Sequence, residues 1–322
     1  MTEKIPSSEN LMVKEKFEQR YKALLCERYD EFMNYSTAYA RKGIRANTLK
    51  ISIDALKKRL EKNWKLEQVP WCKEGFWIEH RGEGEEKRYD VGNTLEHILG
   101  YIYVQDAASM IPPVVLEPKP GETVLDMCAA PGSKTSQMSA MMRNTGALIA
   151  NELQGSRIKA LGINLQRTGA RNAILTQMMG HKFAKTGILF DKVLVDAPCS
   201  GTGTIRKSFL NLKMWSPQLV RKLAAQQKQL AQAAFDILKP GGAMVYSTCT
   251  LEPEENEGVV SWLLEKNQDA DTDEIRLNIK RSPAITAFEG EKYDERVSKT
   301  LRIWPQDNDT EGFFIARIVK RK

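Results

Sequence analysis

Residues 124–137, Val124-Leu125-Asp126-Met127-Cys128-Ala129-Ala130-Pro131-Gly132-Ser133-Lys134-Thr135-Ser136-Gln137, pass from an apolar run through a small-residue turn into a helix-forming stretch. A short apolar strand that stops at an acid and is followed by a helix reads as the first βα unit of a parallel sheet. The pattern repeats downstream. ALIANE (147–152) leads into a helix over 155–168, and NAILT (172–176), KVLVDA (192–197) and AMVYST (243–248) read as further strands. Their nearly unbroken apolar character suits strands covered on both faces. A long helix is predicted over roughly 216–238, and another after Pro253, because proline is tolerated at a first helical position. The fold class is α/β, with a doubly wound, mostly parallel sheet. LRIW (301–304) and GFFIARIV (312–319) lack such a helical spacer and are predicted to form an antiparallel edge.

Upstream the pattern differs. Apolar residues over 12–33 (Val13, Phe17, Tyr21, Leu24, Leu25, Phe32) recur at helical spacing and predict one long amphipathic helix, packed on the chain's own core. A strand is predicted over 43–50, then a helix capped by Ser52 with Ile53, Leu56 and Leu60 on one face, then a strand at FWIEH (76–80). The run over 81–88 is expected to be a hairpin or loop. Trp64, Trp71, Phe76 and Trp77 suit core filling or base stacking. PPVVLEPKPGE (112–122) is expected to end or link this small α+β module. The expected division is therefore 1–110 and 111–322.

Composition narrows the function classes. The 322 residues contain no apolar stretch of about 18 residues, and the start lacks a basic then apolar leader, so neither membrane insertion nor secretion is expected. Five scattered cysteines (26, 72, 128, 199, 249) form no CxxC pair, which disfavours zinc ribbons and disulfide frameworks and fits a reducing, cytoplasmic setting. Three dispersed histidines (80, 97, 181) suggest no metal site. The net charge is +7, and residues 154–222 carry twelve Lys or Arg against Asp191 and Asp196. Such a segment suits an anionic partner. Arg206 and Lys207 are the expected phosphate contacts, replaceable without unfolding.

In a parallel sheet, ligands bind at the carboxyl ends of strands. The first such end, Cys128 to Lys134, lacks the glycines of a phosphate-binding P-loop and of a dinucleotide fingerprint. The second ends in Glu152, an acid suited to ribose hydroxyls. The fourth delivers Asp196-Ala197-Pro198-Cys199 and the fifth Ser247-Thr248-Cys249. A single free cysteine is usually a core filler; two at adjacent strand ends are not.

VLDMCAAPGSKTSQ, VDAPCSGTGTIRKS and YSTCTLEPEENE resemble the RsmB/RsmF/Sun family of RNA cytosine-5 methyltransferases, which use S-adenosylmethionine. IRANTLK (44–50), YVQDAASMIPP (103–113), ILKPGG (237–242) and GFFIAR (312–317) extend the match over roughly 40–320. The resemblance implies a class I, Rossmann-like methyltransferase preceded by an RNA-recognition-like module. It implies that Cys249 is the nucleophile, that Cys199 assists product release, and that Asp196 and Lys134 act on the base. It places the cofactor against Cys128, Ala129, Ala130, Pro131, Gly132, Ser133 and Lys134, with Glu152, Arg157, Met179 and Asp196. Enzymes acting on exocyclic amines carry [DNS]PP[YFW] where this chain has Asp196-Ala197-Pro198-Cys199. DNA cytosine enzymes use that cysteine alone, so Thr248-Cys249 points to RNA. The compact build is similar to archaeal enzymes acting on tRNA, the expected partner, with a monomeric enzyme. An rRNA substrate, or an RNA-binding assembly factor with weak catalysis, is the alternative. Two positions depart from the family: Met179 stands where an adenine-binding aspartate is usual, and Trp304-Pro305-Gln306-Asp307 lacks a nearby histidine.

Overall fold

The computed structural model describes residues 3–9, 11–82 and 90–322. Most of the predicted 81–88 hairpin or loop lies outside them. The N-terminal part runs α1 (Glu15–Leu25), α2 (Tyr29–Ser36), β1 (Gly43–Ala46), α3 (Ile53–Leu60), β2 (Trp64–Gln68), β3 (Gly75–His80), α4 (Leu95–Ile98) and β4 (Ile102–Val104). Four strands form an antiparallel sheet in the order β2-β3-β1-β4. Ser52 caps α3, its hydroxyl accepting from the Ala55 N–H, and Leu56 and Leu60 bury against Ile44, Phe76 and Ile102. Trp64, Trp71, Phe76 and Trp77 are all buried, so these rings fill core.

The remainder runs α5 (Ile111–Leu116), β5 (Thr123–Asp126), α6 (Ser133–Met141), β6 (Ala147–Asn151), α7 (Gly155–Thr168), β7 (Ala173–Thr176) and β8 (Phe190–Asp196). It continues through α8 (Leu210–Met214), α9 (Pro217–Asp236), β9 (Leu238–Thr248), α10 (Glu257–Lys266) and β10 (Ala270–Asp273). The short pair β11 (Ala287–Phe288) and β12 (Glu291–Lys292) precedes β13 (Leu301–Ile303), α11 (Pro305–Asn308) and β14 (Phe313–Lys320). The large sheet has the order β10-β14-β9-β8-β5-β6-β7, parallel from β9 to β7, with β13 also paired to β14. Alternate residues enter different cores: Leu125, Val193, Val195, Met244 and Tyr246 face α9 and α10, whereas Val124, Leu194 and Val245 face α5 and α6. Each such buried aliphatic side chain contributes about 1.5–3 kcal/mol of transfer free energy, which is why these strands read as unbroken apolar runs.

Four expectations need correction. The helix expected over 12–33 is two helices broken at Cys26, whose φ is +50°. The bend brings Tyr21 and Phe32 into a stack at 5.2 Å, although eleven residues of straight helix would separate them by about 16 Å. Both rings then meet Trp304 edge-on, and Phe17 meets Trp215, so α1 and α2 bury on the large-sheet part of the chain. The proline-rich stretch is no simple linker: residues 111–116 form α5, with both prolines in the first turn where no N–H is needed, and it packs into the second core. Strand β14 is antiparallel as expected but lies inside the sheet, between β9 and the unforeseen β10. Finally, Pro253 opens a one-turn 3-10 helix, and α10 starts only at Glu257.

Candidate functional site

The carboxyl ends of β5, β6, β7, β8 and β9 open on one side of the large sheet, and most of the sequence-selected residues stand there. Between β5 and α6 the chain turns through Met127 to Gly132, whose φ of 104° suits glycine. A Cβ there would come 3.0 Å from Leu161 Cδ1, so the turn lies tight against α7. Glu152, 4% exposed at the end of β6, accepts the Gln154 N–H at 2.9 Å and lies 3.3 Å from Arg157. Arg157 also donates to the Ala130 carbonyl at 2.7 Å, linking the β5 loop to the β6 end. At the end of β7, Asn151 donates to the Met178 carbonyl and fixes the backbone, while the Met179 residue is 45% exposed.

Asp196 at the end of β8 is held from two sides. Lys134 Nζ donates to its Oδ2 at 2.8 Å, and the Ser247 hydroxyl donates to its Oδ1 at 2.8 Å. Lys134 donates also to the Ser109 hydroxyl at 3.0 Å. Ser247 and Ser109 are residues that sequence reasoning passed over, although both stand inside quoted motifs. Cys199 and Cys249 meet with their sulfurs 3.4 Å apart. Their loops are fastened to each other: Ser200 and Thr202 hydroxyls both reach the Thr250 hydroxyl, at 2.7 and 2.9 Å, and the Gly203 N–H donates to the Cys249 carbonyl at 2.9 Å. The hydrogen bond with Cys249, reinforced by burial, pushes the Cys199 thiol well above its usual range. Burial likewise pushes the Cys128 thiol up, so that group stays protonated.

Two supports come from outside the sheet. Glu255 Oε2 accepts the Ser200 N–H at 3.0 Å and Gln227 at 2.8 Å, fixing the Cys199 loop to α9. Glu252, fully buried, accepts from Tyr21, Trp215 and Arg20, each at 2.8 Å, so α1 anchors the segment that follows Cys249. Arg45 of β1 donates to the Ser133 carbonyl and the Ser136 hydroxyl, docking the small sheet on the start of α6.

Not every basic residue of 154–222 is a free surface charge. Arg206 is a correction: its side chain is buried, and it donates to the Ala38, Tyr39 and Thr310 carbonyls and pairs with Asp309. Arg167 donates to the His97 and Ile102 carbonyls. The prominent cleft lies instead between the small sheet and the Arg206–Lys207 turn. It has a volume of about 1010 Å³ and is lined by Arg41, Lys42, Lys65, Trp77, Asp106 and Lys207 among others. Among the described residues no group of three His, Cys, Asp or Glu converges on a metal position, and no helix is long and apolar enough to cross a membrane.

Burial pushes the Asp126 carboxyl up to about 7, and the Glu255 carboxyl likewise to about 7. Because these folded-state values exceed the unfolded ones, the native state takes up protons first as pH falls through 7. Stability therefore rises from pH 8 toward about pH 5 and is not gained further below the unfolded carboxylate range near 4. Thermal unfolding should show a higher midpoint near pH 6 than near pH 8. Asp126→Asn, which keeps an acceptor for the Thr135 hydroxyl, should flatten that slope.

A doubly wound sheet with an antiparallel strand inserted beside β9, and with loops of this kind at its carboxyl ends, defines a Rossmann-like methyltransferase. A crystal structure of a methyltransferase homolog from Pyrococcus horikoshii shares it with a TM-score of 0.86 at 37% identity, covering 98% of this chain and 99% of that one. Residues 113–319 match the model of the 16S rRNA methyltransferase RsmB/F family, and residues 13–107 match the N-terminal domain of 16S rRNA methyltransferase RsmF. The chain belongs to the RsmB/F methyltransferase family. A tRNA (cytosine(49)-C(5))-methyltransferase of Pyrococcus abyssi is 48% identical over 316 residues, spanning 95% of this chain and 98% of the relative. Ribosomal RNA small subunit methyltransferase F of Vibrio vulnificus is 45% identical over 319 residues; the match spans 97% of this chain but 65% of that longer protein. The structure of NSun6 from Pyrococcus horikoshii with SFG has a TM-score of 0.83 at 26% identity, covering 96% of this chain and 98% of that one.

Proposed function

We propose that this protein is an S-adenosylmethionine-dependent RNA (cytosine-5)-methyltransferase that modifies tRNA through a covalent cysteine adduct. The observation that carries the reading is the meeting of Cys199 and Cys249 at 3.4 Å beside the Lys134–Asp196 pair. Cytosine carbon 5 is too weak a nucleophile to take a methyl group unaided. A thiolate that adds to carbon 6 moves electron density onto carbon 5. Following the family resemblance, Cys249 is assigned as the nucleophile, and the Cys199 sulfur stands 3.4 Å from it. Asp196, oriented by Lys134 and Ser247, is assigned to ring nitrogen 3, and Lys134 to charge on the ring oxygen. Once carbon 5 carries the methyl group, its proton must leave before the carbon 6–sulfur bond can break and the ring double bond re-form. Cys199 is assigned to that step.

The chemistry of the strand ends fits the cofactor. A buried carboxylate (Glu152) suits ribose hydroxyls, Met179 offers an apolar face to adenine, and residues 128–134 form a tight turn beside them. Arg157 braces Glu152 and the turn together. S-adenosylmethionine, when bound, supplies an electrophilic methyl group. Met179→Asp should add a hydrogen bond to the adenine amino group and tighten cofactor binding by roughly 0.5–1.5 kcal/mol, up to about tenfold in Kd. Calorimetry reads this directly. An unchanged Kd would remove the end of β7 from the cofactor site.

The cleft beside the small sheet is the path we assign to RNA. Lys42 and Lys65 are exposed on its wall. Paired reversal, Lys42→Glu with Lys65→Glu, should weaken RNA binding and reduce the slope of log affinity against log salt by about one per lost phosphate contact. The tRNA assignment rests on the Pyrococcus abyssi relative, which matches nearly end to end. Labelled methyl transfer to unmodified tRNA and to 16S rRNA transcripts decides between them. Label on tRNA alone supports the proposal, and label on rRNA alone replaces it with the activity named for the Vibrio vulnificus relative.

A further inference from the structure

Ser109 has no part in the reaction scheme, yet its hydroxyl accepts from Lys134 Nζ at 3.0 Å while Asp196 Oδ2 accepts from the same ammonium at 2.8 Å. The Phe313 ring centroid also lies 5.3 Å from that nitrogen. The Lys134 side chain is buried among these groups, only 10% exposed. An ammonium has three N–H donors, so Asp196 and Ser109 take two and leave one for a substrate oxygen. Held at one point, the group can still turn about that bond. Held at two, it has a fixed direction for the third.

What holds Ser109 in turn comes from the small sheet. Its carbonyl accepts from Gln105 Nε2 at 3.1 Å, and Gln105 Oε1 accepts from Arg45 Nε of β1 at 2.9 Å. The Gln105 N–H donates to the Gly43 carbonyl at 3.0 Å, and a Cβ on Gly43 would lie 2.3 Å from the Gln105 carbonyl oxygen, so the two backbones touch. Between the ends of the turn, the Ala107 carbonyl accepts from Trp71 Nε1 and the Ala108 N–H donates to Asp106, each at 2.8 Å. Arg45 and Gln105 are both buried, which shields their hydrogen bond from water. Gln105 and Asp106 also line the cleft, so residues 105–109 run from the cleft wall to the Lys134 ammonium. Resting on the assignment of Lys134 to the cytosine base, we propose that residues 105–109 are a strut through which the small sheet aims that ammonium, with Ser109 the positioning residue at its tip. The small module then completes the catalytic site in addition to offering a surface to RNA.

Steady-state methyl transfer to unmodified tRNA transcripts, read beside calorimetry and thermal unfolding, tests the strut. Ser109→Ala should lower kcat by roughly tenfold to a hundredfold, the scale of a misaimed catalytic group. KM for tRNA, Kd for S-adenosylmethionine and the unfolding midpoint should stay near wild type. Ser109→Thr, which keeps the hydroxyl, should restore most of kcat. Gln105→Glu keeps the acceptor for Arg45 but removes the donor to Ser109, and should lower kcat in the same direction. In a Lys134→Met background neither Ser109→Ala nor Gln105→Glu should lower kcat further, because effects that pass through one group do not add. Wild-type kcat in Ser109→Ala, an equal loss in alanine and threonine variants, or a further loss of about tenfold on top of Lys134→Met would overturn the proposal. Wild-type kcat in Gln105→Glu would detach Ser109 from the small sheet and overturn the strut. A wild-type protein that methylates no RNA would refute the assignment of Lys134 itself, a failure distinct from any of these.

Discussion

Replacing Cys249 by alanine is expected to lower methyl transfer by about 10³-fold or more, the scale of losing a covalent nucleophile, and to leave no enzyme–RNA adduct. Replacing Cys199 by alanine is expected to give the opposite product: a covalent complex of enzyme and RNA that survives denaturing electrophoresis. The difference follows from order of events. Without a sulfur at 249 nothing adds to carbon 6, and no later step can occur. Without the second sulfur, 3.4 Å away, addition proceeds but the carbon 5 proton is not removed and the carbon 6–sulfur bond persists. The loops around both cysteines are fixed by the Thr250, Thr202 and Ser200 hydroxyls rather than by the thiols themselves, so neither substitution should unfold the site. An adduct in the Cys249 variant and none in the Cys199 variant would reverse the two roles.

Arg206→Glu is expected to destabilise the protein by about 3–5 kcal/mol, the range for breaking a buried charge pair, out of a total of about 5–15 kcal/mol for an ordinary domain. The guanidinium is fully buried. It donates to the Ala38 carbonyl at 3.1 Å, the Tyr39 carbonyl at 2.6 Å and the Thr310 carbonyl at 3.2 Å, and it lies 3.1 Å from Asp309. It therefore joins the chain after α2 to the segment before β14. A carboxylate there would leave three carbonyls without donors and face Asp309 with like charge. Urea unfolding followed by circular dichroism should show a much lower midpoint. An unfolding free energy within about 0.5 kcal/mol of wild type, with weaker RNA binding, would restore the surface role that the sequence suggests for this arginine.

Arg206 illustrates what the sequence hides. A run of basic residues is legible as charge, but which members face water depends on contacts with residues more than a hundred positions away. The same limit applies to Cys26: periodicity over 12–33 is genuinely helical, and only the aromatic cluster around Trp215 and Trp304 requires the bend. Residues 112–122 misread for a related reason. Prolines suggest a linker, yet those of α5 occupy first-turn positions where proline is tolerated, and their apolar neighbours Ile111, Val115 and Leu116 are core. Strand β10 (ADTD) carries too little apolar character to announce itself, since it pairs only along β14. By contrast β5, β8 and β9 were legible because both faces are buried, and the residues that follow them are the site. The Cys199–Cys249 approach is foreshadowed by adjacent strand ends, whereas the braces that hold it (Glu252 on α1, Glu255 on α9, Ser247 on Asp196) become visible only in three dimensions.

The most direct measurement is bisulfite sequencing of unmodified tRNA after incubation with the protein and S-adenosylmethionine, alongside the Cys249→Ala variant. The account predicts one or a few cytosines protected from conversion by the wild-type protein and none by the variant. Methyl incorporation without any protected cytosine, or equal protection by Cys249→Ala, would contradict it.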